Sequence, residues 1–358
     1  LIMAAPSANF VPYDDRDGWI WLDGKMVPWR DAKIHVLTHS LHYGSCVFEG
    51  ERAYEGKVFR SNDHSKRLHK SAELVGYKCP VPVAELDAVK LELMEKNGLE
   101  NCYIRAFSWR GSEMMGVAAQ SASIRTCVAV WEWGNYFADK NKGIRVTMSD
   151  WKRPSPDTIP SAAKAAGLYM ICTMSKHKAE AEGFSDALML DYRGYVAELT
   201  GANVFLIRDG AIHTPTPDCF LNGLTRQTVI ELARARGFEV IERHITPEEL
   251  STFSECFITG SAAEVTPVAE MAGHHYKPGN ITGTLADISA KVEAAGFKVD
   301  LQQMDWASLV ARRAKKDPPK QGGWNMFFTT WSAQDIDSPL SSAMLNAKGA
   351  TGWFGWQD

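Results

Sequence analysis

One lysine of this chain has neighbours that suit chemistry at an aldehyde. Lys164 follows the proline-bearing stretch KRPSPDTIPS and lies among small residues, namely Ala162, Ala163, Ala165, Ala166 and Gly167. A lysine attacks an aldehyde only while it is neutral, which requires burial or a neighbouring cation to lower its pKa. The small side chains would let a flat ring approach the backbone. Lys164 taken alone is nevertheless more typical of a solvated lysine near a helix start.

The sequence before this lysine predicts a loose N-terminal arm over residues 1–17 and then a small α/β domain over residues 18–140. Hairpins are predicted at Asp23-Gly24 and at Glu55-Gly56, where glycine tolerates positive φ. Apolar spacing predicts helices over residues 62–76 and 84–97. The segments CYIRAFSW and RTCVAVWEW, followed just beyond residue 140 by GIRVTMSDW, are typical of strands.

A larger α/β domain is predicted over residues 141–285. A long helical pattern begins with SAAKAAGLYM and runs to about Gly183. The strands DALMLDYR, GYVAEL and ANVFLIRDG follow, and then a helix, TRQTVIELARARG, that Gly237 ends. Thr246 and Glu249 fit a capping box, and ECFITGSAAEVTPV predicts a strand entering a small-residue turn. The mixed order of strands and helices indicates an α/β fold of two domains.

The composition limits the class of partner. The 358 residues carry 39 basic and 43 acidic side chains, and a net charge of −4 offers no field that attracts nucleic acid or an anionic membrane. No apolar run is long enough to span a bilayer, and the first residues lack a signal-peptide pattern. The seven cysteines are scattered, with no metal-binding spacing. We therefore expect a cytoplasmic protein that acts on small molecules and holds no metal.

Seven sequence blocks resemble the class IV aminotransferases, which are the fold type IV pyridoxal-phosphate enzymes, and among them the branched-chain amino-acid aminotransferases. They occur in family order between about Trp19 and Leu285 and read HSLHYGSCVFEG, HSKRLHKSAELVG, YIR, SDWKRPSPDTIPSAAKAAGLYM, AELTGANVFLIRDG, NGLTRQTVIELA and ITGSAAEVTPV. The resemblance implies a two-domain fold type IV enzyme. Pyridoxal 5'-phosphate would bind in the cleft between the domains of a homodimer.

The resemblance also implies which residues bind the coenzyme. Lys164 would carry pyridoxal phosphate as a Schiff base and move the substrate α-proton. Glu198 would hold a proton on the pyridine nitrogen, because an opposed carboxylate raises the pKa of that nitrogen. Arg67 would bind the phosphate, which its planar fork suits. The other implied coenzyme contacts are Tyr169 at the phenolic oxygen, Asn203, Leu224 and Thr225 at a helix N-terminus, and Gly260 and Ser261 in the small-residue turn.

A substrate pocket is implied by the same resemblance. Tyr103 and Arg105 match the substrate-side pair of the branched-chain group, and Tyr43 matches a residue that the partner subunit lends across the dimer interface. The remaining implied pocket residues are Phe48, Gly50, Met115, Trp133, Tyr136, Ser261 and Ala262. Read singly, each aromatic residue would be assigned to core packing.

The implied reaction is ping-pong transamination of leucine, isoleucine and valine with 2-oxoglutarate. D-amino-acid aminotransferases, (R)-amine transaminases and aminodeoxychorismate lyases share the scaffold, so the fold does not separate them. Trp109 and Arg110, near the EMMGV segment, depart from the branched-chain pattern, whereas the YIR block favours it.

The last 73 residues, 286–358, differ in character from the rest. They hold five of the twelve tryptophans and no cysteine or histidine. They resemble a fragment of the family 5 extracytoplasmic solute-binding proteins, which bind peptides for import. Two unrelated coding sequences joined by an assembly error or a natural fusion would explain this. The alternatives are a genuine accessory extension and, from this segment only, a non-enzymatic transport-binding protein.

Overall fold

The computed structural model describes residues 11–133, 143–277, 279, 281 and 282, and within them the strands form two sheets. The predicted segment 286–358, most of the predicted arm and Tyr136 lie outside the described residues. Among the helices that are described, none has the length and apolar character needed to cross a bilayer.

The first sheet has seven strands within the described chain, in the order β2-β1-β7-β6-β4-β5, with β3 paired to β6. Both predicted hairpins are confirmed. Asp23 and Gly24 have φ of 47° and 85°, and Glu55 and Gly56 have φ of 50° and 78°, the left-handed values that a two-residue turn requires. The strands are β1 Trp19–Leu22, β2 Lys25–Pro28, β3 Val47–Phe48, β4 Glu51–Tyr54, β5 Lys57–Val58, β6 Cys102–Arg110 and β7 Ile124–Trp131.

Two helices pack on the first sheet at the places that the apolar spacing predicts. They are α2 (Ser61–Leu74) and α3 (Val83–Lys96), and a shorter helix, α1 (His39–Tyr43), precedes β3. Leu68 of α2 and Leu86 and Leu93 of α3 are fully buried in one apolar cluster with Ile104 of β6. This packing fixes α2 against the sheet, and with it the polar residues on the buried side of α2.

The second sheet has nine strands within the described chain, in the order β10-β9-β8-β15-β14-β11-β12-β13, with β16 paired to β15. β8 lies parallel to β9 and to β15, and β12 lies parallel to β13, whereas the other neighbours are antiparallel. The mixed α/β fold class is therefore confirmed. The elements are β8 Ile144–Met148, α4 Met170–Ala181, β9 Asp186–Leu190, β10 Val196–Leu199, β11 Asn203–Arg208, β12 Ala211–Pro215, α5 Leu224–Ala235, β13 Val240–Arg243, β14 Glu255–Gly260, β15 Glu264–Met271 and β16 His274–His275.

The segment around Lys164 is not helical, and the prediction of a helix beginning with SAAKAAGLYM was wrong at its start. A short 3-10 helix spans Ala166–Tyr169, and α4 begins only at Met170. The backbone before it pairs with the first sheet instead. Phe48 N donates to Lys164 O at 3.0 Å, and Val47 forms an antiparallel bridge with Ala165. These long-range hydrogen bonds satisfy backbone N–H and C=O groups that would otherwise be bonded within a helix.

The capping box at Thr246 and Glu249 is confirmed, although the turn that it begins is a 3-10 helix, Pro247–Thr252. The first sheet lies within the predicted residues 18–140, and the second lies within residues 141–285. The domain boundaries themselves stay a prediction.

Candidate active site

The amine of Lys164 lies where the first sheet meets the start of α4. Nζ donates a hydrogen bond to the Tyr169 hydroxyl at 2.7 Å and lies 4.8 Å from the centre of the Phe48 ring. Lys164 N also donates to Ser71 Oγ on α2 at 3.0 Å. Burial, together with the charge of the nearby Arg67, lowers the pKa of Lys164 to about 8. A neutral amine is therefore accessible at mildly alkaline pH.

Tyr169 is the hydrogen-bonding neighbour of this amine. Burial raises the pKa of its hydroxyl far above the ordinary value, so the group stays protonated. Its ring meets the Phe48 ring edge to face, with centres 4.9 Å apart. The hydroxyl can therefore donate a hydrogen bond to an acceptor bound beside Lys164.

Glu198 of β10 presents a buried carboxylate whose two oxygens have separate partners. Arg153 Nε lies 3.3 Å from Oε1, and Asn203 Nδ2 donates to Oε2 at 3.1 Å. Asn203 is itself held by Leu221 O and Gly223 N. Burial raises the pKa of Glu198 to about 7, although the charges of Arg153 and Lys164 oppose the shift. A carboxyl group with this pKa can share a proton with a ring nitrogen of similar basicity.

Arg67 of α2 has one guanidinium nitrogen available to an anion. Nε and Nη2 donate to the two oxygens of Glu49, each at 2.7 Å. The third nitrogen, Nη1, is buried and has no hydrogen-bond partner among the described residues. A buried guanidinium N–H without a partner is costly, so this position suits a bound anion.

The first turn of α5 lies near the start of α2. Arg60, which precedes α2, donates through Nη1 to Leu224 O at 3.3 Å and to Thr228 Oγ1 at 3.1 Å. Thr225, in the same turn, lines a cleft with Gly260 and Ser261. No side chain among the described residues caps this helix, so its first amides are free to bind an anion.

The predicted substrate residues Phe48, Gly50, Tyr103, Arg105 and Trp133 lie together. Arg105 Nη2 donates to the Tyr103 hydroxyl at 3.0 Å, and the Arg105 guanidinium carbon lies 4.7 Å from the Phe48 ring centre. Trp133 stacks on Tyr103, with ring centres 4.7 Å apart. A Cβ at Gly50 would overlap the Tyr103 hydroxyl, so only glycine leaves this tyrosine in place.

For the other predicted substrate residues, the described part of the chain shows no contact with this cluster. Tyr43 stacks on His39 and is 45% exposed, and Met115 is 48% exposed. Ala262 is half-buried in the turn that follows Ser261, and Tyr136 lies outside the described residues. Nothing in the described chain therefore places Tyr43 or Met115 beside Lys164.

The structure also adds polar residues that the sequence analysis did not single out. They are Glu49, His64 and Arg153. A sequence signal existed for Glu49, because side chains alternate along an extended segment and Glu49 lies between Phe48 and Gly50. It should therefore point away from the substrate side, toward α2, where Arg67 lies.

Comparisons with known proteins show the family of the chain. Residues 46–271 match the family described as Amino-transferase class IV. The chain belongs to this family. A branched-chain-amino-acid aminotransferase of Pseudomonas aeruginosa is 41% identical over 306 residues, covering 83% of this chain and 98% of the relative. The Escherichia coli K12 enzyme of the same name is 38% identical over 263 residues, covering 71% and 85%.

Solved structures of branched-chain aminotransferases superpose on most of the chain. The branched-chain aminotransferase of Thermoproteus uzoniensis with norvaline has a TM-score of 0.75 at 34% identity, covering 78% of this chain and 96% of that one. The branched-chain amino acid aminotransferase of Thermobaculum terrenum has a TM-score of 0.72 at 28% identity, covering 78% and 94%. The latter structure is the PLP-form, or holo-form, of that enzyme.

The described residues fit pyridoxal phosphate. A lysine of lowered pKa suits the aldehyde, the free nitrogen of Arg67 suits the phosphate, and the buried Glu198 carboxyl suits a basic ring nitrogen. Glu198 is buried, and Lys164 and Arg67 are half-buried, so all three groups are at least partly shielded from water.

Proposed function

We propose that the protein transfers the amino group of leucine, isoleucine or valine to 2-oxoglutarate by a ping-pong reaction with pyridoxal phosphate. The observation that carries this proposal is the Lys164 amine, which has a lowered pKa and a hydrogen bond to Tyr169. The similarity to named branched-chain enzymes over most of their length supports it.

The coenzyme-side residues would have separate tasks. When bound, pyridoxal phosphate supplies an aldehyde carbon and a ring that accepts electrons from the substrate α-carbon. Lys164 Nζ would bind that aldehyde carbon and, once the substrate amine has displaced it, move the α-proton. Glu198 would hold a proton at the ring nitrogen, kept in place by Asn203, and Tyr169 would donate to the phenolic oxygen. Arg67 Nη1 would bind the phosphate together with the backbone amides of Leu224 and Thr225, the Thr225 hydroxyl, and the turn of Gly260 and Ser261.

The walls of the substrate side suit both substrates of the reaction. Phe48, Tyr103 and Trp133 offer apolar faces to an aliphatic side chain. Arg105 adds a cation among them, and its Nε is buried without a hydrogen-bond partner in the described chain. An apolar pocket with one such cation can accept the side chain of leucine in one half-reaction and a second carboxylate in the other.

A panel of amino donors tests this specificity. With 2-oxoglutarate as acceptor, we expect kcat/KM for L-leucine, L-isoleucine and L-valine to exceed that for D-alanine or (R)-1-phenylethylamine by roughly 100-fold, near the upper range for discrimination by an apolar pocket. Glutamate formation measures each rate. Faster turnover of the D-amino acid or the amine would instead assign the protein to one of those transaminase groups.

The lowered pKa of Lys164 predicts how the reactivity of its amine depends on pH. The apoenzyme should react with pyridoxal at a rate that rises about tenfold per pH unit below pH 8 and levels off above it, because only the neutral amine attacks. Stopped-flow absorbance between about pH 6.5 and 10, values that bracket the two limits, measures the profile. A rate still rising at the ordinary lysine pKa would show that the amine is not desolvated.

We infer a homodimer from an exposed apolar surface. Its residues are Val36, Leu37, Leu41, Tyr43, Met114, Met115 and Val117, of which Val36 is 74% and Val117 is 89% exposed. Such surfaces commonly mark protein interfaces, and a second subunit there would bury Tyr43 and Met115. Sedimentation equilibrium should give twice the 39.7 kDa chain mass. A fully active monomer would contradict both the dimer and the lending of Tyr43.

A cytoplasmic location is proposed from the cysteines. All seven are free thiols, and all but Cys46 are buried. Chains in oxidising compartments more often carry disulfides, so free thiols favour a reducing one.

We also propose that residues 286–358 are an unrelated addition. The Pseudomonas aeruginosa alignment covers 98% of that enzyme but only 83% of this chain, which supports a segment beyond the enzyme. Since 285 residues are only about 80% of the 358, the alignment extends past residue 285 and does not support a start at residue 286. Expressing residues 1–285 tests the proposal. Retained coenzyme binding would support it, whereas loss of both fold and coenzyme would indicate an accessory extension.

A further inference from the structure

Glu49 is a fully buried carboxylate enclosed by two residues of α2. Its Oε1 accepts from Arg67 Nε and its Oε2 accepts from Arg67 Nη2, each at 2.7 Å. His64 Nδ1 lies 2.7 Å from Oε2, and His64 is 1% exposed. His64 and Arg67 are three residues apart and so lie on one face of the helix.

This arrangement fixes the direction of the remaining guanidinium nitrogen. A guanidinium group is planar, and a carboxylate that binds two of its nitrogens sets the plane and leaves the third pointing away. The carboxylate is itself held from the backbone, where Glu49 N donates to Ala106 O of β6 at 2.7 Å. The first sheet therefore fixes the direction of Arg67 Nη1 through Glu49. Without this carboxylate, the direction would depend on the side-chain rotamer of Arg67.

Because the charges of Glu49 and Arg67 oppose each other, Glu49 can favour phosphate binding only by orienting Arg67. Burial would raise the pKa of Glu49, but the Arg67 charge and the hydrogen bonds from Arg67 and His64 outweigh it and hold this pKa far below its ordinary value. The carboxylate is thus ionised and neutralises much of the Arg67 charge. If net charge alone attracted a phosphate, Glu49 would weaken its binding.

We propose that Glu49, braced by His64, is a positioning residue that aims Arg67 Nη1 at the coenzyme phosphate. The inference rests on the proposed binding of that phosphate by Arg67. It adds a residue that touches neither coenzyme nor substrate yet sets how tightly the phosphate is held.

The experiment compares pyridoxal phosphate with pyridoxal, which lacks the phosphate. The affinities of the wild-type and Glu49→Gln apoenzymes for both compounds are measured from the visible absorbance of the bound coenzyme. Glutamine keeps the size of Glu49, but its amide cannot accept from both Arg67 nitrogens. We expect the preference for pyridoxal phosphate over pyridoxal to fall by about 10- to 100-fold, the equivalent of one charge-assisted hydrogen bond. Binding of pyridoxal itself should change much less.

An unchanged or increased preference in Glu49→Gln would overturn the proposal, because net charge would then govern the site. A general loss of stability would lower the affinities for pyridoxal phosphate and pyridoxal equally and leave their ratio unchanged. That result would therefore also count against the proposal. If the wild-type protein itself shows no preference for the phosphate, the proposed role of Arg67 fails instead.

Two further variants keep the result decisive. Glu249→Gln removes a carboxylate from Arg243, a pair outside the site with a shortest distance of 2.6 Å, and should leave the ratio unchanged. His64→Gln removes one brace while leaving the Glu49 charge in place, so it tests the proposal if Glu49→Gln does not fold. We expect it to lower the ratio by about fivefold, as for a single hydrogen bond. An unchanged ratio in His64→Gln would contradict the brace.

Discussion

Lys164→Ala should lower kcat with L-leucine and 2-oxoglutarate by about 10⁴-fold or more, the upper end of what a general base contributes. In the proposed reaction, Nζ both binds the aldehyde carbon and moves the α-proton. Another lysine would not substitute, since this amine is placed by Tyr169 and by the hydrogen bond that Lys164 N donates to Ser71 Oγ. Initial-rate kinetics measure the loss. The visible absorbance of the covalently held coenzyme should disappear with it.

The matched control is Lys152→Ala, at the exposed start of the same proline-bearing stretch. It removes a lysine without touching the site, so rate and spectrum should stay as in the wild type. If Lys164→Ala kept the covalent spectrum and most of its rate, another amine would be the coenzyme lysine. The central proposal would then be wrong.

Glu198→Gln should lower kcat by roughly 10²- to 10³-fold, the range for removing one group that stabilises charge in the transition state. A neutral amide cannot hold a proton at the ring nitrogen, so the ring becomes a weaker acceptor of electrons. KM should change little, because Glu198 lies on the second sheet, whereas the substrate residues Tyr103 and Arg105 lie on the first. Steady-state kinetics with L-leucine separate the two constants.

Glu198→Asp serves as the conservative comparison, since it retains the charge and should recover part of the lost rate. Glu182→Gln removes an exposed carboxylate and should have no effect. An unchanged kcat in Glu198→Gln would mean that another group holds the ring proton.

Local signals in the sequence predicted part of the fold. The hairpin at Asp23-Gly24 and the helix that ends before Gly237 are determined by backbone preferences of a few adjacent residues, and both are confirmed. The start of α4 was missed for the opposite reason. Lys164 and Ala165 are bonded to Phe48 and Val47, which are far away in sequence, and no periodicity near Lys164 reports such bonds.

The site residues divide in the same way. The family blocks predicted that Lys164, Tyr169, Phe48 and Arg105 belong to one site, and the structure brings them together. Arg153 pairs with the predicted residue Glu198, and Glu49 pairs with the predicted residue Arg67. In both pairs the two residues lie on separate segments of the chain. Sequence reasoning could not place Arg153, because a charged residue near a motif is more often on the surface, and for Glu49 the alternation with Phe48 and Gly50 indicated only a direction.

The strand-like bond between Phe48 and Lys164 has a consequence for stability. Lys164 is held on the first sheet, whereas Glu198 belongs to the second, so a coenzyme bound to both residues would link the two sheets. By mass action, a ligand that binds only the native arrangement raises the free energy of unfolding for every element that forms its site. The holoenzyme should therefore unfold as one cooperative unit, and coenzyme release should coincide with loss of structure in both sheets.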